Sequence, residues 1–248
     1  MTTVDVVVPV YNEERALPQS IPVLQGFLAG PKFPYEWRII IGDNASIDNT
    51  PAVSRRLEDV SGGRVEYVRI ERKGRGFALK QIWGASDADI VSYMDVDLST
   101  GLDAFPELIG GIAEKGYDIA IGSRLAGRSR VTRSLKRRVL TRGYNSIIKA
   151  MFWTRFSDAQ CGFKAARTSV FKRIQPLIED NNWFFDTELL ILAEKMGHRV
   201  YDVPVEWVED TDTRVKIATT VTEDLKGLMR LRMNRPWRNA APSPSQPS

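Results

Sequence analysis

Five short apolar runs, each stopping at polar residues and most of them followed by a helical pattern, restrict this chain to a strand–helix alternation. The first, Val-Asp-Val-Val-Val-Pro-Val at 4–10, is a β-branched run of the kind that fills a buried parallel strand. Runs at 38–41, 65–70, 90–94 and 118–121 repeat it, and the segments 12–28, 49–57, 76–86 and 103–115 between them carry helical spacing. Such alternation predicts an α/β fold with a mostly parallel sheet covered by helices on both faces. In such sheets ligands bind beyond the carboxyl ends of the strands. Polar residues stand at those ends in Tyr11-Asn12, Asp43-Asn44, Asp95 and Ser123-Arg124, and four polar strand ends on one edge describe one pocket.

The second half reads differently. Residues 133–153 are helix-compatible and basic, 162–166 suit a strand, 185–196 a helix, 199–207 a late strand and 219–233 an amphipathic helix through Val221, Leu225, Leu228 and Leu231. The tail 240–248 is rich in Pro and Ser and is expected to be disordered. One domain over 1–239 is therefore expected. The single cysteine, Cys161, cannot form an internal disulfide, which fits a reducing compartment, and is expected to be a small buried residue. No stretch approaches the roughly 20 apolar residues that span a bilayer, so a soluble or peripheral protein is expected.

The net charge of +4 conceals an asymmetry. Ten Lys or Arg lie between 124 and 157 with no Asp or Glu among them, so the rest of the chain is net acidic. The basicity belongs to one segment and needs a local cause.

The sharpest chemical feature is Asp95-Val96-Asp97 at the end of the fourth apolar run. Two carboxylates at this spacing offer hard oxygen ligands to Mg²⁺ or Mn²⁺, with substrate phosphates completing the shell. A bare pair of this kind is common and by itself reads as a solvated turn; its place after a buried strand favours the functional reading. Pro9-Val10-Tyr11-Asn12-Glu13-Glu14 suits recognition of a base or ribose, although helix capping would account for Asn12 and Glu13 alone. Gly42-Asp43-Asn44-Ala45-Ser46-Ile47-Asp48-Asn49-Thr50 crowds short polar side chains into one loop, with Asp43 a candidate acceptor for base or ribose. In Arg72-Lys73-Gly74-Arg75-Gly76, glycines permit close backbone approach and the cations suit phosphate. The dinucleotide fingerprint GxGxxG is absent after the first strand.

These four elements, in this order over 4–124, resemble the nucleotide-sugar site of glycosyltransferase family 2, whose fold is GT-A. The second Asp of that family's usual DDGS element is Asn44 here and its Gly is Ala45. Downstream, Ile121-Gly122-Ser123-Arg124, Leu135-Lys136-Arg137-Arg138, Asp158-Ala159-Gln160-Cys161-Gly162-Phe163-Lys164 and Trp183-Phe184-Phe185-Asp186-Thr187-Glu188 resemble its polyprenyl-phosphate branch, the dolichyl-phosphate mannose and glucose transferases, closer to the glucosyl type. The mannosyl type commonly has Gln two residues after the second Asp, where this chain has Ser99.

The resemblance implies an inverting, metal-dependent hexosyltransferase working on a dolichyl or polyprenyl phosphate, with UDP-glucose the first candidate donor and GDP-mannose the second. It implies Pro9, Tyr11, Asn12, Glu13, Asp43, Lys73, Gly74, Asp95 and Val96 around the nucleotide sugar. Asp95 and Asp97 would hold the metal, and Arg124, Arg137 and Thr141 the acceptor phosphate, with Arg124 also acting in catalysis. Gln160, Trp183, Asp186 and Glu188 would shape the sugar pocket, although a core aromatic is the plainer reading of Trp183.

The basic segment then has a partner. Leu135, Val139, Tyr144, Ile147, Ile148, Met151 and Phe152 fall near one helical face and Arg133, Lys136, Arg137 and Lys149 off it, which suits an anionic membrane surface on the cytosolic side, with or without a membrane subunit. A helix packed on its own domain is the plainer alternative, and nucleic acid is not expected beside a nucleotide-sugar site. His198 is expected in a solvated turn. Two other functions fit less well: a transferase acting on a hydroxyl, which needs Asp186 or Glu188 as base, and a silent regulator that binds nucleotide or membrane.

Overall fold

The computed structural model of the chain describes residues 1–132, 135–208 and 217–239, without the side chains of 132, 135–137 and 217–220. Arg133 and the tail at 240–248 lie outside the described residues, and so do the side chains of Leu135, Lys136 and Arg137. In chain order the elements are β1 (Thr3–Val10), α1 (Leu17–Leu28), β2 (Glu36–Asn44), α2 (Thr50–Asp59), β3 (Val65–Ile70), α3 (Arg75–Ala85), β4 (Ile90–Met94), α4 (Phe105–Ala113), β5 (Ile119–Ser123), β6 (Arg130–Thr132), α5 (Leu135–Phe152), β7 (Phe163–Arg167), α6 (Thr168–Ile174), α7 (Phe185–Lys195), β8 (Val200–Pro204), β9 (Glu206–Val208) and α8 (Ile217–Asn234).

Seven strands form one sheet in the order β3-β2-β1-β4-β7-β5-β8. All neighbours are parallel except β7, which runs antiparallel to both β4 and β5. The α/β fold expected from the alternation is the one observed. Alternating side chains along β1 feed two cores: Val7 joins Trp83, Tyr93, Phe171, Phe185 and Leu228 on one face, and Val4, Val6, Val8 and Val10 join Leu17, Ile21, Phe105 and Ile109 on the other. A run apolar at nearly every position is what burial on both faces demands. Strands β6 and β9 pair separately.

Three expectations change. The first helix starts at Leu17, not at Asn12, because Asn12 sits at φ 56° in the left-handed region and cannot serve as a helix N-cap. The apolar face expected on α5 divides: Ile148 and Phe152 are buried in the core, whereas Val139 and Ile147 are exposed, as is Leu140 beside them. His198 is buried rather than solvated, its Nδ1 3.5 Å from Asp118.

Candidate active site

The parallel strands deliver their carboxyl ends to one edge. Register brings Val10 beside Asp43 and Asp43 beside Arg69, so the loops after β1, β2 and β3 emerge together. These loops are bonded into one another. Asn12 N–H donates to Ser46 Oγ at 2.9 Å, and Asn12 Oδ1 accepts from Ile47 N–H at 2.9 Å. Glu13 N–H donates to Thr50 Oγ1 at 2.8 Å, and Asn49 N–H to Glu14 at 3.0 Å. Asn44 Oδ1 accepts from Gly74 N–H at 2.7 Å and ties the second loop to the third. Lys73 Nζ stands 3.7 Å from the centre of the Tyr11 ring, within cation–π range. Asn12, Glu13, Tyr11, Lys73 and Gly74, singled out in separate motifs, thus line one assembly.

Asp43 is fully buried. Its oxygens accept from Ser46 N–H at 2.9 Å, Tyr67 Oη at 2.8 Å and Arg69 Nη1 at 3.0 Å. Three of the roughly four acceptor positions of a carboxylate are therefore used within the protein. Its first job is to shape the loop.

Asp95 leaves β4 at the middle of the edge. One carboxylate oxygen accepts from Arg75 Nη2 at 2.7 Å. The other faces Gly162, which precedes β7, and a Cβ built on Gly162 would lie 1.8 Å from it. Asp97 is exposed, with Oδ1 accepting from Ser99 N–H at 2.9 Å, and the turn between them carries Leu98 at φ 50°. Packing around Asp95 pushes its carboxyl above the ordinary aspartate range; Arg75 pulls it back and Asp97 adds to the push. Among the described residues no group of three or more His, Cys, Asp or Glu gathers as a metal cage. Two carboxylates with one side open suit a hard cation such as Mg²⁺ or Mn²⁺ that takes its other oxygens from a diphosphate and water.

Arg75 is the residue that motif reading underrated. It spans two carboxylates, Nη1 donating to Asp186 at 2.9 Å and Nη2 to Asp95, and it lies between the Tyr93 and Trp183 rings at 4.9 and 5.0 Å. Burial opposes its charge, but Asp95, Tyr93 and Asp186 outweigh that and hold the guanidinium above its ordinary value. Asp186 also accepts from Tyr93 Oη and pairs with the fully buried Lys164 at 3.1 Å, and Lys164 donates to Cys161 O at 2.5 Å. Trp183 is 42% exposed, so the core reading of it fails, and its ring lies 5.0 Å from the Arg75 guanidinium. Cys161 is buried as expected.

Arg124, at the end of β5, is clamped by Asp158: Nε donates at 2.7 Å, Nη2 at 2.9 Å and its backbone N–H at 3.1 Å. Burial would raise Asp158, but the bidentate Arg124 outweighs it and holds the carboxyl below its usual range. Thr141 lies on the half-exposed side of α5. Glu188 is fully buried and accepts from Arg230 Nη2 and Asp180 N–H, each at 2.8 Å. It fastens α8 to α7 and does not reach the edge as a free acid.

Gln160 donates to Asp224 of α8 at 2.6 Å. Burial pushes the Asp224 carboxyl up to about 7; Asp180 and Glu223 add to this, while bonds from Gln160 and Tyr144 oppose it. A raised folded-state value means that, between the ordinary aspartate range and about 7, the native state holds a proton the unfolded chain has released. Stability therefore falls as pH rises through that window and levels off above it. Asp224→Asn is expected to remove this component. Denaturant midpoints measured at pH 5 and pH 8 should differ less for the variant than for the parent, and an unchanged difference would count against the assignment.

A family model for glycosyl transferase family 2 matches residues 5–175. Glycosyltransferase AglD of Haloferax volcanii is 34% identical over 222 residues, which cover 88% of this chain and 35% of that protein. Dolichyl-phosphate beta-glucosyltransferase of Dictyostelium discoideum is 28% identical over 240 residues, 92% of this chain and 73% of that one. The chain thus spans about a third of AglD's length. Glucosyl-3-phosphoglycerate synthase from Mycobacterium tuberculosis, solved with UDP, superposes with a TM-score of 0.69 at 20% identity, over 94% of this chain and 80% of that one. The same synthase with Mn²⁺ and UDP-glucose superposes at 0.64, with 18% identity over 93% of this chain and 79% of that one. At these identities the structural likeness concerns the fold.

Proposed function

The chain belongs to glycosyl transferase family 2, and on that basis we propose that it transfers a hexose from a nucleoside-diphosphate sugar to a dolichyl or polyprenyl phosphate. UDP-glucose is the first candidate donor and GDP-mannose the second. The observation that carries the reading is the partly open Asp95 carboxylate at the end of the central strand, beside exposed Asp97 and within the joined loops of Asn12, Asp43 and Lys73. Its likeness to the dolichyl-phosphate beta-glucosyltransferase over nearly the whole chain supports the acceptor.

Tyr11, Asn12, Glu13 and Asp43 take the nucleoside, with Pro9 and Val96 lining it, and Lys73 and the Gly74 backbone lie toward the phosphates. Mg²⁺ or Mn²⁺ on Asp95 and Asp97, when bound, supplies positive charge where the departing diphosphate gathers negative charge. Arg124, held rigid by Asp158, meets the acceptor phosphate together with Arg137 and Thr141. An oxygen of that phosphate attacks C1 from the face opposite the diphosphate, and a β-linked sugar phosphate results. The protein's part is to align the two phosphates across C1.

The fate of Asp186 and Glu188 argues for a phosphate acceptor over a hydroxyl. Asp186 accepts from Tyr93 and is ion-paired with Arg75 and Lys164, and Glu188 accepts from Arg230 and Asp180. A hydroxyl acceptor needs a base with a free oxygen, whereas a phosphomonoester, with a second pKa of about 6, arrives ionised. Exposed Val139, Leu140 and Ile147 on α5, beside exposed Arg138, Arg142 and Lys149, offer an anionic membrane surface both apolar contact and charge. Among the described residues no helix is long and apolar enough to cross a membrane.

The test is incubation of the protein with Mg²⁺ or Mn²⁺, a polyprenyl phosphate and radiolabelled UDP- and GDP-sugars. Lipid-extractable label from UDP-glucose is expected, and the absence of such label from every donor would reject the proposal.

A further inference from the structure

Arg75 already occupies, as a cation, one oxygen of a carboxylate assigned above to a divalent metal. Its Nη2 lies 2.7 Å from Asp95 Oδ1, and the side chain is only 12% exposed. Three other contacts hold it there: Asp186 at 2.9 Å and the flanking rings of Tyr93 and Trp183. The backbone fixes its origin as well. Arg75 is the first residue of α3, and the Gly74 before it has φ 152° and its N–H bonded to Asn44. A Cβ on Gly76 would lie 2.6 Å from Phe185 Cβ and 2.9 Å from the Asn182 carbonyl, so the start of α3 is pressed against the segment that leads into Asp186.

We propose that Arg75 is a positioning residue that shields Asp95 from the divalent cation, so that cation binding waits for the nucleoside diphosphate. The inference rests on the metal assignment of the proposed function. A free cation approaching Asp95 meets repulsion from a guanidinium that cannot lose its proton. It also finds one carboxylate oxygen engaged, and Asp97 alone is a weak, solvated ligand. A diphosphate changes the balance by bringing its own negative charge and oxygen ligands, after which cation and Arg75 share an anionic cluster. Metal and donor then bind cooperatively, and the coupling is reciprocal. The device also prevents unproductive loading, because an enzyme carrying metal without donor has its diphosphate-binding edge altered in advance.

Arg75 can be replaced without stranding its partners. Asp186 keeps Tyr93 and Lys164, and Asp95 is partly open to solvent. The experiment is Mn²⁺ binding followed by the electron paramagnetic resonance signal of the free ion, with and without UDP, for the parent, Arg75→Gln and Arg75→Lys. In the parent, UDP is expected to tighten Mn²⁺ at least tenfold. In Arg75→Gln, Mn²⁺ alone should bind at least tenfold more tightly than in the parent, and the gain from UDP should shrink. Arg75→Lys, which keeps the charge but spans one carboxylate at a time, should fall between them.

Adding Asp95→Asn to Arg75→Gln should abolish the tight binding, which identifies the site being read. Equal Mn²⁺ affinity in the parent and a folded Arg75→Gln overturns the role of Arg75 alone. If Arg75→Gln does not fold, a parent that binds Mn²⁺ equally well with and without UDP overturns it. A parent that takes up no Mn²⁺ under any condition removes the metal site on which the inference stands.

Discussion

Gly162→Ala is expected to reduce sugar transfer by about a hundredfold or more while shifting thermal unfolding by only a few degrees, an effect of the size a displacement of about 1 Å in a reacting constellation produces. The alanine methyl would lie 1.8 Å from Asp95 Oδ2, and the three atoms nearest to it all belong to the Asp95 carboxylate. None of these three is a backbone atom. The carboxylate, being the tip of a side chain, swings aside, and the sheet on either side keeps its pairing of Met94 with Phe163. The cost thus falls on the geometry of Asp95 and not on the fold. Gly143→Ala, on the exposed side of α5 with nothing within 4 Å of its Cβ, is the matched control. Steady-state kcat for the two variants, read beside their melting curves, decides the matter: a Gly162→Ala enzyme that retains half the parental kcat would sink this account of Asp95.

Lys164→Met should have the opposite profile, with stability lost first. The ammonium is fully buried and makes three contacts: Cys161 O at 2.5 Å, Tyr93 Oη at 3.2 Å and Asp186 at 3.1 Å. Methionine fills similar space but leaves the buried Cys161 carbonyl with only the distant Tyr93 Oη, at 3.5 Å, and Asp186 with Arg75 as its remaining cation. Removing one partner of a buried ion pair typically costs about 3–5 kcal/mol. In a chain of this length, about 2–4 °C is lost per kcal/mol, so the melting temperature should drop by about 10 °C. Calorimetry reads this directly, and a melting temperature within 2 °C of the parent would show that Lys164 is not the counter-ion of this network.

Much of the frame was legible because local chemistry and global architecture agree. The runs that became β1, β2 and β4 are apolar at almost every position, as strands buried on both faces must be, and polar residues stand at their ends, where sheets of this kind bind their ligands. What escaped were facts carried by distant partners. Arg75 read as one more phosphate cation, since its pairing with Asp186, 111 residues away, leaves no local pattern. Lys164 read as part of a motif, although it is a buried counter-ion.

The apolar residues of two helices divide between the core and the surface. On α8, Val221 and Leu225 are exposed, while Asp224 lies with Leu228 and Leu231 on the inner side. On α5 the inner side is Ile148 and Phe152. An apolar side chain does not by itself mark a helix face as inward, because folded surfaces carry many apolar groups, and both helices have exposed apolar residues. Asn12 departed from the capping pattern because its backbone is left-handed and its side chain accepts from Ile47 N–H in the next loop. Helix α6, too short for its periodicity to stand out, was missed.

The antiparallel strand β7 also governs the order in which this protein can assemble. It lies between β4 and β5, yet its partner Ile90 is separated from Arg167 by 77 residues, with α4, β5 and the whole basic segment between them. A ribosome that has released 160 residues has produced β3, β2, β1 and β4 on one side and β5 on the other, but not the strand that joins them. Contacts so far apart in sequence form slowly, because a long loop must close before they stabilise anything. Gly162 enters beside Asp95 only as this strand docks, so the surroundings of Asp95 close at the moment β5 is joined to the four strands made before it.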